Sequence, residues 1–268
     1  GLCSSTASWA APTSSDNCGI AALTSTHMPG DSFAVGTTVV TYTTTDIHGN
    51  ESSSSFLVTV TDDEAPQIAD MPADFTVSSE AGLCSGSASW AAPTSSDNCD
   101  IADLTSTHQS GDSFAVGTTQ VTYTTTDIHG NSSSASFTVT VEDLESPVVL
   151  DTPADMTLGN DAGDCGAVAT WAAASASDNC GVQSVTSSHA SGDFFDVGST
   201  MVTLTALDIH GNSSSTSFLV TITDMEDPTI AGMPADMTVS AQPGLCSSTA
   251  SWAAPTSSDN CGIAALTS

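Results

Sequence analysis

The sequence has no lysine and no arginine in 268 residues, against 31 aspartates and glutamates, so the formal charge is −31 and only six histidines remain as side chains able to carry a positive charge. That absence excludes several classes of function. Nucleic-acid binding needs cationic contacts to phosphate, and a helix lying on anionic lipid needs the same, so neither partner fits. Lysine-dependent isopeptide cross-links cannot form. No apolar run approaches the roughly 18 residues of a membrane-spanning helix, so no membrane insertion is expected in this segment. Repulsion among the carboxylates opposes compaction and close approach of neighbouring chains. Salt screens it only beyond a Debye length of about 8 Å, and bound cations neutralise it directly, so divalent cations are expected partners. Charged residues are nevertheless only 12% of the chain and hydrophobic residues 39%, a balance that points to a folded chain rather than a disordered one.

What the chain does have is repetition. Trp9, Trp90, Trp171 and Trp252 recur at a constant spacing of about 81 residues, as do Cys3, Cys84, Cys165 and Cys246. The segment 1–25 recurs letter for letter as 244–268, which implies a higher-order period of three modules. The chain therefore reads as a window on a longer array: residues 1–63 a module lacking its first strands, 64–144 and 145–225 complete modules, and 226–268 the first half of another. Arrays of this kind build length or present surfaces, because only the array makes reach.

Within residues 64–144, helical periodicity is almost missing and short strands are punctuated by turns. Pro66-Gln67-Ile68 and Asp74–Ser78 flank Met71-Pro72; Ser85–Trp90 alternates; Pro93–Cys99 reads as a turn-rich loop; Ile101–His108 is another strand. The clearest pair is Gln120–Thr126 and Ser134–Val141, joined by Asp127-Ile128-His129-Gly130-Asn131 as a hairpin turn. This pattern predicts an all-β fold of tandem immunoglobulin-like antiparallel β-sandwiches, with Trp90, Phe114, Tyr123, Phe137, Val139 and Val141 as the core and their counterparts one repeat before and after.

Eight cysteines without metal-type C-x-x-C spacing imply disulfides and an extracellular or cell-surface location. Two pairings suit a repeating design: Cys18 to Cys84, or a local one joining Cys3–Cys18, Cys84–Cys99, Cys165–Cys180 and Cys246–Cys261. The local pairing is the one expected, each bridge contributing roughly 3 kcal/mol by loop entropy.

The motifs together resemble the hyalin repeat, or HYR, module. They are the junction Asp62-Asp63-Glu64-Ala65-Pro66, then Met71-Pro72-Ala73-Asp74, Trp90 running into Ser96-Asp97-Asn98-Cys99, Gly111–Tyr123, and Asp127–Asn131 before the Phe137–Val141 strand. The resemblance covers the whole chain. It implies an immunoglobulin-like sandwich of extracellular, often adhesive or matrix-forming proteins, with no catalytic residues. The chain departs from many members in having Met71 beside the early proline and Ser136 or its neighbours in the last strand, where they carry a second cysteine pair.

Asp-x-Glu-x-Pro recurs at all three junctions, with Asp62 and Glu64, Asp143 and Glu145, and Asp224 and Glu226. Alternating carboxylates on a proline-stiffened linker resemble the calcium-dependent joints of cadherin-like arrays, and the loop acids Asp97 and Asp178 could complete the shell, making calcium the candidate cofactor. Asn50, Asn131 and Asn212 satisfy the N-glycosylation sequon, with a role in the turn as the alternative. No nucleophile elbow or oxyanion motif accompanies the serines and histidines, so no catalysis is expected. The reading is a structural stalk, fibre or filament whose partners are copies of itself and divalent cations. The alternative is a surface adhesin whose loops bind glycans or cell-surface proteins.

Overall fold

The computed structural model describes residues 1–267, so the last residue of the 226–268 half-module lies outside the described residues. The chain forms two compact units, Gly1–Ser79 with Ser85–Glu142, and Glu80–Cys84 with the residues from Asp143 on.

The middle module sets the pattern. Its strands are β1 (Gln67–Ala69), β2 (Phe75–Ser78), β3 (Ser85–Ser87), β4 (Thr94–Ser96), β5 (Ile101–Ser106), β6 (Ser113–Ala115), β7 (Gly117–Asp127) and β8 (Ser132–Glu142). One sheet has the order β5-β7-β8-β2; β3 pairs with β6 and β1 with β4. Along β7 and β8 the Thr/Ser and Val/Phe/Tyr positions alternate, so one face turns inward at every second residue. Val121, Tyr123, Phe137, Val139 and Val141 are accordingly buried beside Phe114 and Ala88, with Trp90 and Phe75 packed against them. The ring of Trp90 meets that of Phe137 edge-on at 5.2 Å, and its indole N–H donates to the Tyr123 hydroxyl at 2.9 Å.

Two details differ from the sequence reading. The stretch Pro93–Cys99 contains the short strand β4 rather than loop alone, because Thr94–Ser96 pairs with Gln67–Ala69. β2 runs parallel to β8, Phe75 opposite Val139, an exception in an otherwise antiparallel sandwich. The Met71-Pro72 interruption separates β1 from β2, so the two halves of the opening strand join different partners.

The module from Asp143 on repeats the plan with the sheet order 156–159, 213–223, 198–208, 182–187 and a core of Ala167, Phe195, Val202, Leu204, Phe218, Val220 and Ile222. In residues 1–63 the corresponding sheet has three strands, 20–25, 36–46 and 51–60. No counterpart of β2 lies within those residues, and Phe56 is 38% exposed where Phe137 is 3%. From residue 226 on, 229–231 pairs with 256–258 and Trp252 is 58% exposed.

Asp100 adopts a φ of +83° at a position where the other repeats place Gly19, Gly181 and Gly262, all at positive φ. A side chain there costs energy that glycine avoids. Asp100→Gly should therefore raise stability by about 1 kcal/mol, seen as a higher urea midpoint at unchanged slope. Tyr123→Phe should cost about 1 kcal/mol by removing the acceptor of the part-buried indole N–H. The control is Leu204→Phe in the next module, where leucine already stands in place of the tyrosine and no such bond is there to lose.

Candidate metal centre

The local cysteine pairing is not what forms. The bridges are Cys3–Cys99, Cys84–Cys180 and Cys165–Cys261, each spanning 96 residues. Strand geometry explains the correction. The Cys3 carbonyl accepts from Val35 N beside the Gly36 end of strand Gly36–Asp46, whereas Gly19, next to Cys18, accepts from Ile47 N beyond the Asp46 end. The length of that strand puts those ends roughly 35 Å apart, far beyond the 7 Å or so that a disulfide tolerates between Cα atoms. Cys165 and Cys180 are separated in the same way along Gly198–Asp208. Cys99 instead lies at the end of its module where the linker enters, with its Cα 4.7 Å from that of Cys3. Cys18 and Cys246, expected in bridges, are free and exposed.

Around the first bridge, a loop and a hairpin converge on Asp62 of the linker. Its Oδ1 accepts from the Asn98 amide at 3.3 Å, and its backbone carbonyl accepts from the Asn131 amide at 3.0 Å. Its Oδ2 stands 3.3 Å from His129 Nδ1, and the side chain is 3% exposed. The hairpin that presents His129 and Asn131 is tied by its own first residue. Asp127 Oδ1 accepts from the backbone N–H of His129 and Asn131, and Oδ2 from the Asn131 amide at 2.7 Å, with Gly130 at positive φ closing the turn. Asp97 tightens the next loop, its Oδ2 accepting from Cys99 N at 2.8 Å. Ser133 Oγ donates to the carbonyl of buried Pro66, fixing where the linker enters the sandwich.

The result is a cluster. Asp62, Asp97 and Asp127 each place a carboxylate oxygen within 4.8 Å of the others, and Asp143, Asp178 and Asp208 do the same in the second unit. There, Asn179 bridges Asp143 Oδ1 and the Leu83 carbonyl, Asn212 donates to the Asp143 carbonyl, and His210 Nδ1 lies 3.2 Å from Asp143 Oδ2. Burial pushes the carboxyls of Asp127 and Asp208 upward, but hydrogen bonds from Asn131 or Asn212 and from the hairpin N–H groups outweigh it, so both lie below the usual aspartate range. Asp46 is lowered chiefly by the Asn50 side-chain bond. These groups are anionic at neutral pH, and the chain has no lysine or arginine to answer them. Asp97 Oδ1, Asn98 Oδ1, Asp178 Oδ1 and Asn179 Oδ1 are buried with no hydrogen-bond partner. Buried polar atoms are normally paired, so a set of unpaired oxygens beside clustered carboxylates suits a hard cation with six to eight oxygen ligands.

The structure sorts the sequence candidates. Asp62, Asp97, Asp143 and Asp178 do converge. Glu145 and Glu226 do not join them: each accepts from a backbone N–H of the preceding repeat, Gly82 at 2.7 Å and Gly163 at 2.8 Å, while Glu64 lies 3.7 Å from the Gly1 nitrogen. Asp224 approaches Asp259 and Cys261 in a more exposed group. Asn131 and Asn212 commit their amide hydrogens to Asp127 and Asp62, and to Asp208 and Asp143, so they serve the turn, and a glycan on that nitrogen would break the set. Asn50 donates to Asp46 in an exposed hairpin. Asp127, Asp208, His129 and His210 read as hairpin-turn residues in the sequence, with a calcium-loop-like spacing and a metal site from the two histidines of each repeat as the alternatives. Their place beside the linker is signalled there only by the recurrence of both motifs in every repeat.

The HYR domain model matches residues 1–60, 61–141 and 142–222. The chain belongs to the HYR domain family. Its HYR modules are 36% identical over 267 residues to hyalin of Strongylocentrotus purpuratus, covering 96% of this chain and 22% of that protein. They are 37% identical over 258 residues to hyalin of Lytechinus variegatus, covering 92% and 48%. The HYR array thus spans half or less of the length of these relatives. Among solved structures it is similar to a protocadherin gammaB7 EC3-6 cis-dimer, at 17% identity and a TM-score of 0.34, covering 78% of this chain and 66% of that one. Drosophila N-cadherin EC1-4 gives 15%, 0.32, 73% and 60%. The HYR array is an extracellular, hyalin-like repeat protein, and among the described residues no helix is long and apolar enough to cross a membrane.

Proposed function

We propose that the HYR array is a tension-carrying structural segment of a stalk, fibre or filament, each joint closed by a disulfide and stiffened by calcium. The observation that carries this reading is the 96-residue bridge, which ties the Gly-x-Cys segment of one repeat to the Ser-Asp-Asn-Cys loop of the next, beside the aspartate cluster. Asp62, Asp97, Asp127 and the free Asn98 oxygen would hold the ion in one unit, and Asp143, Asp178, Asp208 and the Asn179 oxygen in the other. The ion supplies the positive charge that the composition lacks, fixing linker, loop and hairpin to one another. The set fits calcium better than magnesium because carboxylate and amide oxygens are gathered from three separate segments, which suits a larger and less demanding coordination sphere. Calcium also neutralises surfaces that otherwise repel, which supports self-association of copies along or between fibres.

The absence of catalysis in this reading rests on the repetition itself, since the candidate site recurs in successive repeats and offers no nucleophile with an adjacent base. Imaging of native multi-repeat material by electron microscopy, with calcium and after chelation, tests the proposal. Stiffness that falls on chelation is expected; identical bending in both conditions would remove calcium from the joints.

A further inference from the structure

Beside each aspartate cluster lies a second set of ligands of different chemistry. Cys99 Sγ, His129 and Asp62 place one ligand atom each within 4.8 Å of one another, and Cys180, His210 and Asp143 do the same. The disulfide brings a fourth: Cys3 to the first set and Cys84 to the second. Two sulfurs, one imidazole and one carboxylate are the complement of a closed four-coordinate zinc site. With the bridge intact the sulfurs are bonded to each other and present no thiolate, so the set is masked.

We infer that these joints are redox-interchangeable clamps, in which reduction of Cys3–Cys99 or Cys84–Cys180 unmasks a site of two thiolates, one imidazole and one carboxylate for zinc, or a similar borderline-soft divalent ion, that holds the same two segments together. With a trialkylphosphine as reductant the step balances. Phosphorus gives two electrons to the disulfide and takes oxygen from water, and the two sulfurs become thiols. Zinc then binds both as thiolates, releasing two protons to solvent.

The surroundings favour this exchange. The Asn98 amide lies 3.5 Å from Cys99 Sγ and the Asn179 amide 3.6 Å from Cys180 Sγ, each an N–H donor placed to support sulfur as an anion. His129 and His210 already face the shared carboxylates at 3.3 and 3.2 Å. Donors that orient metal ligands raise affinity in just this way. The third bridge, Cys165–Cys261, has Asp224 and Asp259 beside it and no histidine among the described residues, so it forms no complete set.

The clamp does not rest on the calcium reading: it shares Asp62 and Asp143 with the aspartate clusters, but its other ligands are the sulfurs and imidazoles and not Asp97, Asp127 or their counterparts. The test uses the full chain, with Cys18 and Cys246 alkylated beforehand, reduced with a trialkylphosphine and titrated with cobalt(II) as the spectroscopic stand-in for zinc. Two equivalents should bind with an ultraviolet thiolate-to-cobalt band and the intense visible bands of tetrahedral cobalt, both bleached by zinc. The oxidised chain should show neither. His129→Asn with His210→Asn should weaken cobalt binding at least tenfold, whereas His108→Asn with His189→Asn, histidines beside Phe114 and Phe195 and outside both sets, should leave it unchanged.

A reduced chain with no thiolate band overturns the inference, and so does a band of unchanged affinity and stoichiometry in the double histidine variant. If reduction collapses the near-ultraviolet tryptophan signal, zinc should restore it and calcium should not. Failure of zinc to restore it also overturns the inference.

Discussion

Cys84→Ser combined with Cys180→Ser is expected to lower the stability of the HYR array by about 4–5 kcal/mol, the loop-entropy value for a closed loop near 100 residues, against roughly 3 for a 15-residue loop. The larger value follows because the bridge closes 96 residues and so restrains far more of the unfolded chain. Replacing both cysteines avoids leaving a reactive thiol beside Asp143 and His210. The measurement is the denaturant midpoint and slope of the variant against the parent, both oxidised. A shift of less than about 1 kcal/mol would mean that the pairing contributes little or does not form. Peptide mapping provides the independent check: trypsin finds no lysine or arginine to cut, so an aspartate-directed protease is needed to release the peptide joining Cys84 to Cys180.

Calcium removal should have the second large effect. An ion that binds only the folded joint stabilises it by about 2.7 kcal/mol when its free concentration is a hundredfold above the dissociation constant. Chelation should lower the melting midpoint by a corresponding amount, and magnesium at equal concentration should restore little of it. Asp97→Asn with Asp178→Asn should abolish the calcium dependence yet leave the calcium-free protein as stable as the parent or more so, because each change removes one of three mutually repelling carboxylates. This inverted pattern separates a metal ligand from an ordinary structural aspartate, whose loss would weaken the protein in either condition. A parent midpoint indifferent to chelator would sink the calcium reading and leave the disulfide clamp standing.

Much of the fold was legible because it lives in local alternation. Val121, Tyr123, Phe137, Val139 and Val141 alternate with Thr and Ser, and all five are buried. The Asp127–Asn131 turn was legible because an aspartate, a glycine and an asparagine at those spacings close a hairpin by themselves. The cysteine pairing was not, because spacing along the chain carries no information about which end of a strand a residue occupies. Cys3 and Cys18 are near neighbours in sequence and a full strand apart in space. The metal centre was half legible for the same reason. Asp62 and Asp97 announce themselves as acids in a linker and a loop, but Asp127 and His129 join them only because the hairpin tip lies at the linker end of the sandwich. Glu64, Glu145 and Glu226 carried the same signal as the aspartates beside them. Each lies two residues past its aspartate across a turn in which the glutamate N–H donates to the aspartate Oδ1, and Glu145 and Glu226 reach onto the preceding repeat instead of the cluster.

The offset between bridges also limits how far the protein can be stretched. Because Cys84 precedes Cys99 and Cys165 precedes Cys180, the shortest covalent route along the array crosses one bridge, runs back from Cys99 to Cys84 and crosses the next. A repeat torn open under tension could therefore lengthen to only about 50 Å of taut backbone, where a whole repeat without bridges would release about 280 Å. Rupture of a sandwich would yield short, recoverable slack, and only a reducing agent would let the strand run out to its full contour.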